Sequence, residues 1–263
     1  MIYSRLNNFL FIKGRKVAGT SVEVALSKIC GPDDIITPIM AIDEHQRLDL
    51  GYRHAQNYGA DETELANYIR AISSESLKDF GRIKSPAGNF NAHASLIKVS
   101  KKLKNQLEGT RILCLTRSPY QCIISYINFR AKMMAYSKSG EAMTLSNANI
   151  RKAIPDVVQQ MTDGTFKKNS RLYRRPKSLA KNTEMHFIKF ENIETNLKAT
   201  LRSLNIPNNI DLPHLKKGNN YEDDFILNVT TSEEMQAIND YFDDEFNLFE
   251  YQKIDPKQAL YRG

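Results

Sequence analysis

A short apolar run that ends in a loop rich in glycine and basic residues lies near the start of the chain. The apolar run is Phe9–Ile12, the loop covers residues 13–18, and Gly19-Thr20-Ser21 follows as a helix start. This order predicts a buried strand that leads through the loop into a helix N-terminus. Free backbone N–H groups and the positive end of the helix dipole meet there, so the segment predicts a phosphate-sized anion site.

The same pattern occurs a second time near the middle of the chain. The apolar run 112–116 is followed by Arg117, and Pro119 then begins a helical stretch that carries Ser125. Proline suits an early helix position because its missing N–H is not needed there. An arginine fork can grip a phosphate with two parallel hydrogen bonds. Two such strand ends in one α/β domain predict a ligand with two separated phosphates.

The fold class follows from how strand-like and helical patterns alternate. A third strand-like run covers residues 185–190, and amphipathic patterns cover 94–107, 193–204 and 232–242. We expect Thr20 or Ser21 to cap the first helix. The alternation predicts an α/β domain with a P-loop-like parallel sheet flanked by helices. We expect one domain over 1–263, with helical insertions at about 38–92 and 131–184 that form the acceptor side of the ligand site.

Composition places the chain among soluble globular proteins. Of its 263 residues, 41% are hydrophobic and 25% are charged, and its longest apolar runs are too short to cross a bilayer. The first residues enter a strand without a signal-like segment. Cys30, Cys114 and Cys122 are scattered, which indicates buried thiols in a reducing compartment. A cytoplasmic protein without a membrane span is expected.

The net charge of +7 is unevenly distributed. One stretch holds seven basic residues with no acid between them: Lys167, Lys168, Arg171, Arg174, Arg175, Lys177 and Lys181. Such a stretch is either a solvated surface or a contact for an anionic partner. The sequence shows no nucleic-acid module with interleaved aromatic residues, so a nucleic-acid partner is not expected.

The first loop departs from the phosphate loop of nucleotide hydrolases. Gly14 and Gly19 have the spacing of that loop, but the lysine expected after the second glycine is missing and Lys16 lies inside the loop. The second strand is followed by Arg117 where a magnesium-dependent enzyme needs an aspartate. An arginine at this position would repel a divalent cation. Both departures indicate an anionic nucleotide that is bound without a metal.

These residues resemble the donor-binding motifs of sulfotransferases. Lys16-Val17-Ala18-Gly19-Thr20-Ser21 resembles the family's 5′-phosphosulfate loop, and Arg117-x-Pro119-x5-Ser125 resembles its 3′-phosphate motif. Segments 187–193 and 241–249 are also similar to late segments of the family, the second to its carbohydrate-modifying branch. The four landmarks occur in family order across most of the chain. Arg15 is a departure, because many members have proline there.

The resemblance implies the donor 3′-phosphoadenosine 5′-phosphosulfate (PAPS), the product adenosine 3′,5′-bisphosphate, no metal, and a hydroxyl or amine acceptor, here a saccharide. In this interpretation Lys16 stabilises the charge that develops on the leaving 5′-phosphate. The implied nucleotide contacts are Arg15, Lys16, Ala18, Gly19, Thr20 and Ser21 for the 5′-phosphate, Arg117 and Ser125 for the 3′-phosphate, and Lys216, Lys217 and Gly218 in a loop that closes over the 3′-phosphate.

A hydroxyl acceptor also needs a base, and histidine suits this role. His93 lies between the two phosphate motifs and directly before a helical pattern, so it is the predicted base. His54 and Glu23 are lesser candidates. Two other classes of function stay open, a small-molecule kinase that uses ATP and a non-catalytic protein that binds polyanions.

Overall fold

The computed structural model describes residues 1–74, 83–139, 145–213 and 221–261. These residues form an α/β structure in which helices flank a five-stranded sheet with the order β3-β1-β2-β4-β5. The strands are β1 (Ile2–Ser4), β2 (Phe9–Ile12), β3 (Ile35–Ile36), β4 (Arg111–Thr116) and β5 (Met185–Lys189). The α/β class and the three strands expected from the sequence are therefore confirmed.

The three expected strands, β2, β4 and β5, form the parallel part of the sheet. Every residue of β2 is buried, and so are the last five residues of β4, as the continuous apolar runs require. Ile12 pairs with Cys114, and Thr116 pairs with Lys189. The carboxyl ends of these strands therefore lie at one edge of the sheet, where open α/β folds bind ligands.

The sheet is mixed, so the prediction of a parallel sheet is wrong for its other half. β1 runs antiparallel to both β2 and β3. Residues 5–8 alone connect β1 to β2, and a turn of that length joins antiparallel neighbours, because a parallel crossover needs a dozen or more residues. Asn8 closes the turn with φ +50°, a left-handed conformation that asparagine tolerates.

Helix boundaries agree with most of the sequence patterns. The helices are α1 (Gly19–Ser27), α2 (Ala41–Asp49), α3 (Glu62–Ser74), α4 (Leu96–Leu103), α5 (Pro119–Ser139), α6 (Asn147–Thr162), α7 (Asn169–Tyr173), α8 (Ile193–Ser203), α9 (Ser232–Tyr241) and α10 (Asp243–Phe249). The pattern at 94–107 is α4 followed by a 3₁₀ turn, with the Ser95 side chain accepting from Lys98 N–H as the cap. Thr231 and Glu234 form a capping box at α9.

The chain divides into two compact units. The first unit contains Met1–Thr116 and Leu172–Lys217, and the second contains Arg117–Arg171 and Gly218–Gly263. The whole sheet belongs to the first unit, together with α2 and α3 of the 38–92 segment. The 131–184 segment is shared between the units. The single domain with two insertions stays a prediction.

The second unit has its own apolar core, built from one face each of α5, α6, α9 and α10. Tyr120 of α5 is central to it, because its hydroxyl donates to Asn239 Oδ1 at 2.6 Å and accepts from Ile254 N–H at 2.8 Å. Its ring packs on Phe246, with 5.2 Å between ring centroids. One buried hydroxyl therefore connects α5, α9 and the segment after α10.

We expect Tyr120→Phe to lower the free energy of unfolding by about 1–3 kcal/mol, because it leaves buried Asn239 and the Ile254 N–H without their partner. Urea unfolding measures the change. Tyr126→Phe is the matched control, since it removes a hydroxyl that bonds Gln160 at 2.8 Å from a half-buried position. An equal loss in both variants would contradict the special role of Tyr120.

Candidate phosphate-binding site

The loop between β2 and α1 has an unusual backbone conformation. Lys16 (φ +61°) and Ala18 (φ +58°) are both left-handed, a conformation that costs energy for residues with a Cβ. Val17 lies between them and is fully buried, so it anchors the loop to the core. The result is a tight turn that carries Lys16, half-buried, and Arg15, exposed.

The start of α1 has no side-chain cap. Ala18 is its N-cap residue, and the first backbone bond into the helix runs from Val22 N–H to Ala18 O at 3.3 Å. The expectation that Thr20 or Ser21 caps this helix is therefore wrong, because the helix already begins at Gly19. Both hydroxyls lie in the first turn, half-buried, beside N–H groups that point out of the helix end. This arrangement is suited to an anion.

Gly14 of the loop and Gly19 at the start of α1 have no room for a side chain. A Cβ on Gly14 would lie 1.9 Å from the hydroxyl oxygen of Tyr173, and a Cβ on Gly19 would lie 2.8 Å from Cγ of Lys13. Tyr173 is buried and donates to Leu115 O at 2.7 Å. It therefore supports the loop from behind. The sequence carries no signal for this role, since Tyr173 is far from the loop along the chain.

A buried ion pair lies beneath the loop. Nζ of Lys13 is 2.8 Å from Oε2 of Glu23, and the amino group of Met1 is 2.6 Å from Oε1 of the same carboxylate. Burial alone would raise the pKa of Glu23, but the charges of Lys13 and Met1 lower it to about 2. Glu23 is thus an ionised partner of Lys13 with no exposed surface, which does not favour it as a base for an acceptor.

His93 is held against the same loop. Its Nδ1 lies 3.1 Å from the carbonyl oxygen of Lys13. A carbonyl can only accept, so Nδ1 carries the proton and Nε2 has the free lone pair. Burial, followed by the charge of Lys13, lowers the pKa of His93 to about 4. The ring is therefore neutral near pH 7 and can accept a proton through Nε2.

The remaining histidines have other surroundings. His45 contacts Ile72 O and Asp49, and His54 contacts Ala55 O. His186 lies on β5, with Nε2 3.4 Å from Glu184. His214 lies outside the described residues. His93, by contrast, bonds to the backbone of the loop between β2 and α1.

The second motif opens the second unit. Arg117 is the residue after Thr116, the end of β4, and its side chain is buried. Its Nε donates to Gln121 Oε1 at 3.1 Å, and Gln121 in turn donates to Asp223 at 3.0 Å. Ser125 is half-buried and lies one turn beyond Gln121 on the same face of α5. Arg117 is thus oriented by the helix that carries Ser125.

Other predicted features have mixed outcomes. Lys216, Lys217 and Gly218 lie outside the described residues, so their role stays a prediction. The three cysteines are free and buried, as expected. Within the described ranges, the helices include none with the length and apolarity needed to span a bilayer. The same ranges hold no group of three or more His, Cys, Asp or Glu side chains that could bind a metal ion.

Comparisons of the chain with protein-family models, with curated proteins and with solved structures found no match. The functional interpretation therefore depends on the residues of this chain and on their geometry.

We expect Gly14→Ala to displace the loop, because the added Cβ would overlap the hydroxyl of Tyr173. In the Tyr173→Phe background that oxygen is absent, so the same change should cost less. A double-mutant cycle of unfolding free energies should give a coupling of about 1–3 kcal/mol between the two positions. Additive effects would show that Tyr173 does not support the loop.

His93 should make stability depend on pH. Its pKa is lowered from 6.5 to about 4 in the folded protein, so the unfolded chain takes up the proton first as pH falls. The free energy of unfolding should therefore decrease between about pH 6.5 and pH 4. His93→Gln should flatten this part of the profile, measured as the midpoint of thermal unfolding. Parallel profiles would contradict a buried, neutral His93.

Proposed function

We propose that this chain is a sulfotransferase that moves the sulfuryl group of PAPS to a hydroxyl or amine of an acceptor, with a saccharide as the acceptor. One observation carries the proposal. In the first unit, the uncapped start of α1 and the neutral ring of His93 are held by the same loop, through Ala18 and Lys13. In this proposal the helix start would bind an anion, and the ring beside the same loop would act as a base.

The loop between β2 and α1 would hold the 5′ side of the donor. Backbone N–H groups from Ala18 to Ser21 and the hydroxyls of Thr20 and Ser21 would bind the 5′-phosphate. Lys16 and Arg15 would add positive charge. Lys16 would stabilise the charge on the phosphate oxygen that leaves when the S–O bond breaks. A P-loop-like fold belongs to this proposal, with β2, the loop and α1 as its first βα unit beside parallel β4.

His93 would act as the base. Its Nε2 would accept the proton of the acceptor hydroxyl while the acceptor oxygen bonds to sulfur. The Nδ1–H bond to the carbonyl of Lys13 would fix the tautomer and the ring orientation. Sulfuryl transfer otherwise needs positioning and fixed positive charge, which Lys16 would supply.

The resemblance assigns the 3′-phosphate to the second motif. Arg117 would donate from its guanidinium, whose Nε is oriented by Gln121, and Ser125 would donate from its hydroxyl. Lys216 to Gly218 would close over this phosphate. Recognition of the 3′-phosphate separates this function from the two rival classes.

A small-molecule kinase is the first rival. It would need Mg²⁺ and the γ-phosphate of ATP, and it would use a lysine after Gly19 and an aspartate after β4. The chain has Thr20 and Arg117 at these positions. A non-catalytic polyanion-binding protein is the second rival. It would bind polyanions with a steep salt dependence and without preference for a 3′-phosphate.

Calorimetry with adenosine 3′,5′-bisphosphate and with adenosine 5′-monophosphate, each with and without Mg²⁺, tests the proposal. We expect tighter binding of the bisphosphate, unaffected by Mg²⁺, and we expect Arg117→Ala to remove the preference. Thermal unfolding of this variant checks that the second unit stays folded. Equal affinity for both nucleotides, or binding that requires Mg²⁺, would reject the assignment.

Lys16→Ala should slow sulfuryl transfer from labelled PAPS to oligosaccharides by about a hundredfold or more, as removal of one charge-stabilising donor does elsewhere. Its affinity for the bisphosphate product should change far less. Lys98→Ala, which removes an exposed lysine from α4, is the matched control. Unchanged transfer after Lys16→Ala would remove Lys16 from the mechanism.

A further inference from the structure

Part of the basic run forms an exposed strip on the first unit. We define the basic strip as Arg174, Lys177 and Lys181, which are exposed and have no hydrogen bond or ion pair with the described residues. Other cations of the run have structural partners. Lys168 bonds Asp244 and Tyr241 O, Lys167 bonds Gly164 O, and Arg175 bonds Ala180 O and Thr183 O. Arg171, the seventh cation of the run, belongs to the second unit. Within the first unit, the strip is thus the part of the run that remains available to a ligand.

The loop that carries the strip is held in place at several points. Arg175 closes it by donating to Ala180 O and Thr183 O at 2.7 and 2.8 Å. Leu179 is buried, and the Thr183 hydroxyl donates to Leu107 O at 3.0 Å. Tyr173 anchors its beginning on Leu115 O. The three cations are therefore presented by an ordered loop, which lowers the entropic cost of binding.

The loop that carries the strip runs from the carboxyl end of β4, beside the proposed donor loop, to the amino end of the same strand. It begins at Tyr173, which touches Gly14 of the proposed donor loop, and it ends at Glu184, whose carbonyl accepts from Ile112 N–H. Leu115 and Ile112 are three residues apart on β4, so the loop advances along the sheet by roughly 10 Å. The basic strip thus leads away from the place where the proposal puts the sulfuryl group.

A groove follows the strip at the amino end of β4. It has a volume of about 350 Å³ and is lined by Gly109, Arg111, Asn182, Glu184, Ser203, Leu204 and Asn205. Arg111 is half-buried, and its guanidinium has no partner among the described residues. The lining also holds the amides of Asn182 and Asn205, the hydroxyl of Ser203 and the carboxylate of Glu184, which can accept from hydroxyl groups of a ligand. Such a lining suits a ligand that carries both negative charge and many hydroxyl groups.

We propose that the basic strip and the Arg111 groove bind an anionic saccharide chain, which is the acceptor of the proposed sulfotransferase. That this saccharide is the acceptor depends on the proposed function, whereas its binding to the strip does not. Carboxylate, sulfate or phosphate groups along the saccharide pair with Arg174, Lys177, Lys181 and Arg111. Its hydroxyl groups bond the amides of the groove, and one end reaches the donor loop beside Tyr173.

The surroundings of the strip favour a saccharide over a nucleic acid. Residues 174–184 contain no aromatic side chain, whereas proteins that bind single strands stack bases on aromatic rings. Leu179, the one leucine of this loop, is buried and cannot wedge between bases. Four cations also form a small footprint for a duplex, which is held mainly by many phosphate contacts.

Calorimetry at low ionic strength with hexagalacturonate, a hexasaccharide that has one carboxylate on each sugar, tests the inference against neutral maltohexaose. We expect binding of the anionic chain only. Replacing Arg174, Lys177 and Lys181 together by Gln should weaken it by about tenfold or more. The matched control replaces Lys98, Lys101 and Lys104 by Gln, which removes the same charge from exposed positions of α4 and the turn after it.

The outcomes separate this inference from the proposed function. The inference would be overturned if hexagalacturonate did not bind or if maltohexaose bound equally well. It would also be overturned by an equal loss of affinity in both triple variants or by tighter binding of a duplex DNA. Binding of adenosine 3′,5′-bisphosphate should be unchanged in both triple variants. If the parent chain binds hexagalacturonate through the strip but does not recognise the bisphosphate, the inference holds and the proposed function fails.

Discussion

Lys13 holds together the parts of the first unit on which the candidate site depends. Its ammonium group pairs with Glu23 inside α1, its Cγ lies where a side chain on Gly19 would be, and its carbonyl accepts from His93. One residue thus contacts helix α1, lies against Gly19 at its start, and orients the imidazole ring of the proposed base. A buried pair of this kind gains little net stability from its own attraction, but removing one partner leaves a buried charge uncompensated. Its main effect is therefore to determine geometry.

The loop between β2 and α1 stores strain that the surrounding core must hold. Lys16 and Ala18 are both left-handed, and neither is glycine. Such positions persist only where the neighbouring structure leaves no alternative. Here buried Val17 anchors the turn from inside, and Tyr173 excludes any side chain at Gly14. The same turn puts Ala18, which has no side chain that could cap, at the N-cap position of α1.

The sequence predicts the parts of the structure that have local signals. β2, β4 and β5 were expected because each is a run of apolar residues followed by a helix start, and Ile193–Ser203 and Ser232–Tyr241 were expected from their periodicity. β1 and β3 have three and two residues, too few to show a period. The turn at 5–8 that joins β1 to β2 contains no glycine or proline, and β3 pairs with β1 from beyond α1. The sequence therefore gives no clear local signal for the antiparallel half of the sheet.

Some residues of the candidate site could likewise be predicted from local sequence patterns, whereas others depend on tertiary packing. Lys16, Gly19 and His93 could be proposed because each lies in or beside a recognisable segment. Lys13 could not, because a lysine in a basic loop is usually solvated and its partner Glu23 lies on the inner face of the next helix. Tyr173 could not either, since its contact with Gly14 depends on a position that its bond to Leu115 O of β4 fixes. Tertiary packing alone determines these two residues.

Charge links the proposed base to the proposed donor. Burial and the charges of Lys13 and Arg15 lower the pKa of His93, which keeps the ring neutral but makes it a weak base. A dianionic group held at the start of α1 would offset the charges of Lys13 and Arg15, because like and unlike charges at short range act on a pKa in opposite directions. The pKa of His93 would then rise towards the range in which a base is most effective. In the proposed arrangement the loop that would bind the donor would also set the strength of the base, so His93 would accept a proton most readily when a dianionic group occupies the start of α1.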